Sequence, residues 1–152
     1  MDLYLMQHGE ATAEADDPTR PLTSAGRAAV ARVAARAQAA GVRVDRCVRS
    51  GKLRAEQTAQ VLATAVGGGS VEALGGLAPN DPIAVVARWL AERSEDQSVA
   101  LVGHLPFLDR LASSLVVDDE DAKVISFQMG GLVKLVPTPD DALNSATRLI
   151  VE

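Results

Sequence analysis

Aromatic residues, cysteine and long apolar runs are all scarce in this chain of 152 residues. With only 3% aromatic residues, a hydrophobic core has to be built mainly from Ala, Val and Leu. The single cysteine, Cys47, cannot form a disulfide within the chain, which suits a reducing compartment. No apolar run approaches the roughly 20 residues of a membrane span. Since the first residues also lack the pattern of a signal peptide, we expect a cytoplasmic protein.

Positive charge is also in deficit. Lys and Arg number 15 against 20 Asp and Glu, so the net charge is −5 at pH 7. This balance argues against broad binding of nucleic acid or of an anionic membrane, and an anionic substrate would need a local cluster of arginines. The length and the 47% apolar content are typical of one globular domain, which we expect to span residues 1–152. The oligomeric state stays open.

Short apolar runs alternate with helical patterns, which predicts α/β layers around a largely parallel sheet. Strands are predicted before His8, at 44–48, 71–74, 98–102 and 147–151, with an antiparallel hairpin of 124–128 and 132–136. Helices are predicted from Thr23, from Ser50 as N-cap, from Asn80-Asp81-Pro82 and from Pro106. A loop is predicted from Pro137 to Asn144.

Both histidines of the chain stand beside a glycine at the end of a predicted buried strand. His8 precedes Gly9, and His104 follows Gly103. In open α/β sheets, ligands bind beyond the carboxyl ends of the strands. A single such histidine is more often a hydrogen-bonded structural residue, but the repeated pattern favours a joint site if the two strands are neighbours.

Arg54 lies in the first turn of the second predicted helix, where free backbone N–H groups and the helix dipole attract anions. A guanidinium there suits phosphate or carboxylate, and Arg20 in the loop after the first strand could bend over the same place. For both arginines a solvated surface position is the alternative. Two distant histidines with one cysteine argue against a zinc site, and neither a phosphate-binding Gly-Lys loop nor a nucleophile elbow is present.

Four short segments follow one another in a specific order along roughly three quarters of the chain. They are Gln7-His8-Gly9, Arg20-Pro21-Leu22-Thr23 with Gly26, the run from Ser50 to Ala59, and Val102-Gly103-His104-Leu105-Pro106. Together these segments resemble the motifs of the histidine phosphatase superfamily, in particular its short bacterial SixA-like phosphohistidine phosphatases.

The resemblance implies a three-layer α/β/α sandwich and a hydrolase that needs no metal or cofactor. It implies that His8 attacks phosphorus and becomes phosphorylated, that His104 assists, and that Arg54 grips the phosphate together with Gly9 and the neighbouring donors. The short branch lacks the insertions that cover the pocket of longer members. A phosphohistidine-containing protein in signal transduction is therefore the expected substrate, and small phosphate esters are the alternative.

One departure from the family pattern is Gln7, which stands where the family has an arginine. Glutamine keeps a hydrogen-bond donor but loses the charge and the two-pronged geometry, and the loss of one preorganised donor can cost about 10²–10³ in rate. A slower enzyme, a substrate that brings its own positive charge, and a non-catalytic phosphate-binding module all fit this residue. Arg20 could compensate if it reaches the site.

The general acid is left open by the sequence. Asp81 follows the third predicted strand, although capping a helix is the better-supported role for it, and Glu10 is a second nearby carboxylate. The nitrogen leaving group of phosphohistidine needs less protonation than an alkoxide, so a missing acid is compatible with that substrate. A neutral His8 beside a protonated His104 is the expected pairing near neutral pH.

Overall fold

Six strands form one mixed sheet in the computed structural model, which describes residues 2–137 and 146–151. The strands are β1 (Asp2–Gln7), β2 (Arg46–Arg49), β3 (Glu72–Ala73), β4 (Ser98–Gly103), β5 (Leu132–Pro137) and β6 (Ala146–Val151). Their order across the sheet is β3-β2-β4-β1-β5-β6. Strands β3, β2, β4 and β1 run parallel to one another. Strand β5 is antiparallel to β1, and β6 is antiparallel to β5. The predicted parallel sheet with an antiparallel C-terminal edge is thus confirmed.

Helices cover both faces of the sheet. Within the described residues they are α1 (Ser24–Ala39), α2 (Leu53–Val66), α3 (Ala84–Ala91) and α4 (Phe107–Val117). Alternate side chains of β1 point to opposite faces, so Leu3 and Leu5 pack with α3 and α4 while Tyr4 and Met6 pack with α1 and α2. Two apolar clusters therefore sandwich the sheet, as the three-layer prediction requires. In the described part of the chain, no helix is both long and apolar enough to cross a membrane.

The start of α1 packs closely against the loop that follows β1. Thr23 caps the helix, and its hydroxyl oxygen accepts a hydrogen bond from the backbone N–H of Gly26 at 2.9 Å. A β-carbon on Gly26 would collide with the carbonyl oxygen of Glu10, and one on Gly9 would lie 2.6 Å from a methyl group of Val30. Glycine at both positions lets the helix pack directly on the segment that contains His8.

The predicted hairpin is wrong. Residues 124–128 form no strand, and the side chain of Ile125 is instead buried in the layer of α3 and α4. The physical reason is that β5 has β1 on one edge and β6 on the other, so no edge remains for a hairpin partner. The final predicted strand is confirmed as β6. The predicted loop from Pro137 to Asn144 lies, beyond Pro137, outside the described residues.

Two predicted helix starts are also wrong in detail. Lys52, and not Ser50, occupies the N-cap position of α2, and its side chain makes no capping bond in the described structure. The hydroxyl of Ser50 contacts His104. Helix α3 begins at Ala84, later than predicted. Asp81 accepts a hydrogen bond from the backbone N–H of Ala78 at 2.9 Å, so its carboxylate stabilises the preceding turn rather than the helix end.

Candidate active site

The two histidines meet at the carboxyl edge of the sheet. Strands β1 and β4 are parallel neighbours in which Gln7 is paired with Gly103, so His8 and His104 follow at the same level. Their ring centroids are 5.0 Å apart and the ring planes are inclined by 54°. Both side chains are buried, with exposed fractions of 8% and 2%. Residues almost a hundred positions apart thus form one compact pair because of the strand order.

The ring of His8 is held in one tautomer. Its Nδ1 atom lies 2.7 Å from the carbonyl oxygen of Gly9, and a carbonyl oxygen can only accept, so Nδ1 carries the proton and donates it. Burial lowers the pKa of His8 below its usual 6.5, assisted by the charges of Arg54 and Arg20 and opposed by the Gly9 carbonyl. The ring is therefore neutral at pH 7, and its Nε2 atom keeps a free lone pair. Such a nitrogen can act as a nucleophile.

The ring of His104 is neutral as well. Burial lowers its pKa to about 3, assisted by His8, Arg54, Lys52 and Arg20. Because the ring is buried and the charges of Arg54, Lys52 and Arg20 add to the effect, the expectation of a protonated His104 does not hold. The Nε2 atom lies 2.5 Å from the hydroxyl oxygen of Ser50, whereas the buried Nδ1 atom has no hydrogen-bond partner among the described residues.

Two arginines bring positive charge to the histidine pair. The Nε atom of Arg54 in the first turn of α2 is buried and finds no hydrogen-bond partner in the structure as described. Burial lowers the pKa of Arg54, and the positive charge of Arg20 adds to this effect. Arg20 has a left-handed backbone, with φ of 49°, and its Nε donates to the carbonyl oxygen of Thr12 at 3.0 Å. The charge of Arg20 acts on both histidines and on Arg54, whereas the hydrogen bond of its side chain is to Thr12.

Gln7 lies at the end of β1 with 9% of its surface exposed. Its side-chain oxygen Oε1 is buried and unpartnered within the described residues. The backbone carbonyl oxygens of Gln7 and His8 both accept from the N–H of Gly130, at 3.0 and 3.2 Å. The segment before β5 therefore braces the backbone that positions His8, and a neutral amide occupies the place beside this histidine.

Two residues of the site were not recognised from the sequence. Thr58 accepts a hydrogen bond from the backbone N–H of Gly9 at 3.0 Å and donates to the carbonyl oxygen of Arg54 at 2.7 Å. Ser50, interpreted as a helix cap, instead contacts His104. The available signal for Thr58 was its spacing of one helical turn from Arg54, which places both residues on the same side of α2.

The two candidate acids are both engaged in local structure. The Oε1 atom of Glu10 accepts a hydrogen bond from the hydroxyl of Thr23 at 2.7 Å, and Asp81 closes the turn described above. Neither carboxylate is among the charges that shift the pKa of His8 or His104. Neither Glu10 nor Asp81 is therefore placed to act as an acid at the histidine pair.

The arrangement suits an anion that can accept several hydrogen bonds. Arg54, whose buried Nε is unpartnered among the described residues, and Arg20 supply positive charge to the neutral ring of His8 at the carboxyl edge of the sheet. A cleft of about 430 Å³ begins at Leu105, directly after His104, and is lined mainly by apolar side chains including Ile125 and Phe127. Over the described residues, no group of three or more His, Cys, Asp or Glu side chains could hold a metal ion.

Comparison with known proteins gives consistent results. The family model of the histidine phosphatase superfamily (branch 1) matches residues 3–78. An uncharacterized protein of Picosynechococcus sp. is 38% identical over 120 residues, which cover 76% of this chain and 73% of that protein. Phosphohistidine phosphatase SixA of Escherichia coli is 30% identical over 119 residues, covering 76% of this chain and 74% of SixA. A solved structure of the protein histidine phosphatase SixA complexed with tungstate superposes with a TM-score of 0.84 at 26% identity, covering 99% of this chain and 96% of that one.

Proposed function

Because the chain belongs to branch 1 of the histidine phosphatase superfamily, we propose that it is a phosphohistidine phosphatase which works through a phosphorylated His8. The observation that carries the proposal is the state of His8. Its Nδ1 donates to the Gly9 carbonyl, its ring is neutral with an unprotonated Nε2, and the ring lies beside that of His104 within the influence of two arginine charges. A fixed neutral imidazole in a cationic site is what covalent capture of a phosphoryl group requires.

The reaction proceeds in two transfers. The Nε2 lone pair of His8 forms a bond to phosphorus while the bond from phosphorus to the substrate imidazole nitrogen breaks, and the departing nitrogen takes up a proton from solvent. Water then attacks phospho-His8, the bond between Nε2 and phosphorus breaks, and inorganic phosphate leaves. The net change is the addition of one water molecule across the P–N bond, and each of the two steps has a lower barrier than direct hydrolysis.

The arginines and His104 would stabilise the transferred group. Arg54 has an unpartnered Nε–H, and Arg20 supplies a second charge, so together they offset the negative charge that the phosphoryl oxygens carry. Gln7 offers a neutral amide at the place of the family's arginine, and the charge of Arg20 compensates for the missing charge only in part. With this charge supplied by side chains, the reaction proceeds without a metal, so turnover should persist in the presence of EDTA.

A protein is the proposed source of the phosphohistidine. SixA, to which this chain is similar, is named as a phosphohistidine phosphatase, and a SixA structure holds tungstate, a tetrahedral oxyanion like phosphate. The cleft that begins at Leu105, the residue after His104, offers the apolar side chains of Leu105, Ile125 and Phe127, on which the residues around a phosphohistidine can pack. A small phosphate ester would make no use of this surface.

The decisive experiment is a rapid-quench reaction with a protein carrying labelled phosphohistidine. Quenching in alkali preserves phosphohistidine, which is acid-labile, so transient label on this chain is the expected result. Absence of both label and released phosphate would refute the proposal. A parallel panel of small phosphate esters should give much lower kcat/KM, and higher values there would instead identify an ester phosphatase.

A second candidate function is a phosphate-binding module without turnover, which the neutral Gln7 beside His8 favours. Calorimetric binding of inorganic phosphate combined with zero turnover on both substrate classes would establish this alternative.

A further inference from the structure

Ser50 is fixed against the ring of His104. Its side chain is 2% exposed, and its hydroxyl oxygen lies 2.5 Å from the Nε2 atom of that ring. The backbone N–H of Ser50 donates to the carbonyl oxygen of Val102 at 3.1 Å, which ties the end of β2 to the end of β4. Ser50 and His104 are 54 residues apart in sequence, so this contact is created entirely by the pairing of the two strands.

The hydrogen bonds around the hydroxyl determine which ring nitrogen carries the proton. The N–H of Lys52 donates to the Ser50 oxygen at 3.4 Å, and the contact with His104 is the other hydrogen bond of this hydroxyl within the described residues. If Nε2 carried the ring proton, the oxygen would accept twice and its own buried O–H would have no acceptor. If Nε2 is unprotonated, the hydroxyl donates to it, and the Nδ1–H of His104 is the one group of this pair left without a partner among the described residues. The first arrangement leaves two buried groups unpaired in the described structure, the Ser50 O–H and the Nδ1 lone pair, whereas the second leaves one, so the second is the more stable.

We propose that Ser50 is a positioning residue that holds neutral His104 as its Nδ1–H tautomer, so that Nδ1 donates a hydrogen bond to a phosphoryl oxygen. The buried Nδ1 atom has no partner among the described residues, and a phosphoryl oxygen would supply the acceptor that its N–H lacks. The inference rests on the proposed function for the identity of the ligand. It explains how His104 assists although burial, and after it the charges of nearby groups, lower the pKa of the ring and disfavour its protonated form.

The tautomer can be read directly by NMR of the ¹⁵N-labelled protein at neutral pH. The chain contains 2 histidines, so a His8→Gln variant assigns the ring signals of His104 without ambiguity. We expect a protonated Nδ1 and an unprotonated Nε2 in the native protein, and a shift of the Nδ1 signals when inorganic phosphate is added. A native His104 protonated at Nε2, or no response of Nδ1 to phosphate, overturns the proposal.

Three variants separate positioning from general stability. In Ser50→Ala the constraint on the ring is lost, so the Nε2–H tautomer should become populated and kcat on a phosphohistidine protein should fall by about tenfold, the value of one ordinary hydrogen bond. Ser50→Thr keeps the hydroxyl and should retain both the tautomer and most of the activity. Ser113→Ala removes another buried serine hydroxyl, one that accepts from the N–H of Val124, and should leave the His104 signals unchanged.

The outcomes distinguish this inference from the proposed function. If the native tautomer and its response to phosphate are as expected but turnover is absent, the phosphatase proposal fails and the role of Ser50 in phosphate binding stands. If Ser50→Ala keeps the native tautomer, or if Ser50→Thr loses it, Ser50 is not the positioning residue. Should Ser50→Ala fail to fold, the native spectrum and the Ser50→Thr variant still decide the question.

Discussion

The backbone N–H of Gly9 donates a hydrogen bond at 3.0 Å to the hydroxyl of Thr58, 49 residues further along the chain. The same hydroxyl donates to the carbonyl oxygen of Arg54 at 2.7 Å. Thr58 is fully buried, so one side chain fixes the loop after β1 relative to the helix that carries the arginine. The distance between the candidate nucleophile and the candidate phosphate-binding group thus depends on a hydroxyl that touches neither side chain.

Replacement of this hydroxyl by a methyl group should loosen the site. In Thr58→Val the buried N–H of Gly9 loses its acceptor, so the free energy of unfolding should fall by about 1–3 kcal/mol. Phosphate binding should weaken as well, because His8 and Arg54 are no longer held together. Urea unfolding and calorimetry measure the two effects. Thr58→Ser should restore both, and Thr64→Val, which removes an exposed hydroxyl in the same helix, serves as the matched control.

The two histidines should have unequal effects on catalysis. His8→Ala should abolish turnover and the labelled phosphoenzyme, since no covalent route remains. His104→Ala should reduce kcat by about 10²–10³, the cost of one transition-state donor, while still binding phosphate through Arg54. Alkaline-quench labelling and calorimetry provide the measurements. Label retained on His8→Ala would show that another residue is the nucleophile, and full activity of this variant would refute the mechanism.

Gln7→Arg should increase the affinity for phosphate. A charge-assisted hydrogen bond contributes about 1.5–3 kcal/mol, so the Kd should fall by about tenfold or more. Calorimetry of both proteins with inorganic phosphate at equal salt tests this. Unchanged or weaker binding would mean that Gln7 does not contact the phosphate or that Arg20 already supplies the charge. Arg20→Ala separates these two readings, because it should weaken native binding only if Arg20 has that role.

Acidification should destabilise the protein partly through His104. Its pKa is about 3 in the folded state against 6.5 for an ordinary histidine, so between these values the unfolded chain binds a proton that the folded chain does not. The stability contributed by the neutral ring is therefore present above pH 6.5 and is lost as the pH falls toward 3. Urea unfolding at neutral pH and at about pH 5 should show a smaller loss for His104→Gln than for the native protein. Equal losses would contradict the lowered pKa.

The apolar cleft beside His104 should matter for a protein substrate and not for a small one. Leu105→Ala removes an exposed side chain from its lining, so KM for a phosphohistidine protein should rise by a few-fold while values for a small phosphoramidate stay unchanged. Val85→Ala truncates an exposed apolar residue outside the cleft and controls for nonspecific effects. Equal KM changes for both substrates would show that the cleft does not bind the protein.

The features that the sequence determined are those that depend on residues close together along the chain. The apolar runs that end at His8 and at His104 are buried strands, and Thr23 caps its helix, because burial and capping follow from residues within one strand or one turn. The motif resemblance added the expectation that Arg54 belongs with the histidines, and the structure brings the three residues to one edge of the sheet.

Other features were decided only by the tertiary structure. Ser50 reads as a helix cap, yet pairing of β2 with β4 carries its hydroxyl to His104. Residues 124–128 have the composition of a strand, but β1 and β6 already occupy both edges of β5. Glu10 and Asp81 read as candidate acids, but local donors bind both carboxylates. The protonation state of His104 follows from burial and from cations contributed by distant segments. In each case the deciding contact joins residues whose proximity depends on strand order and packing, and a local pattern carries no information about either.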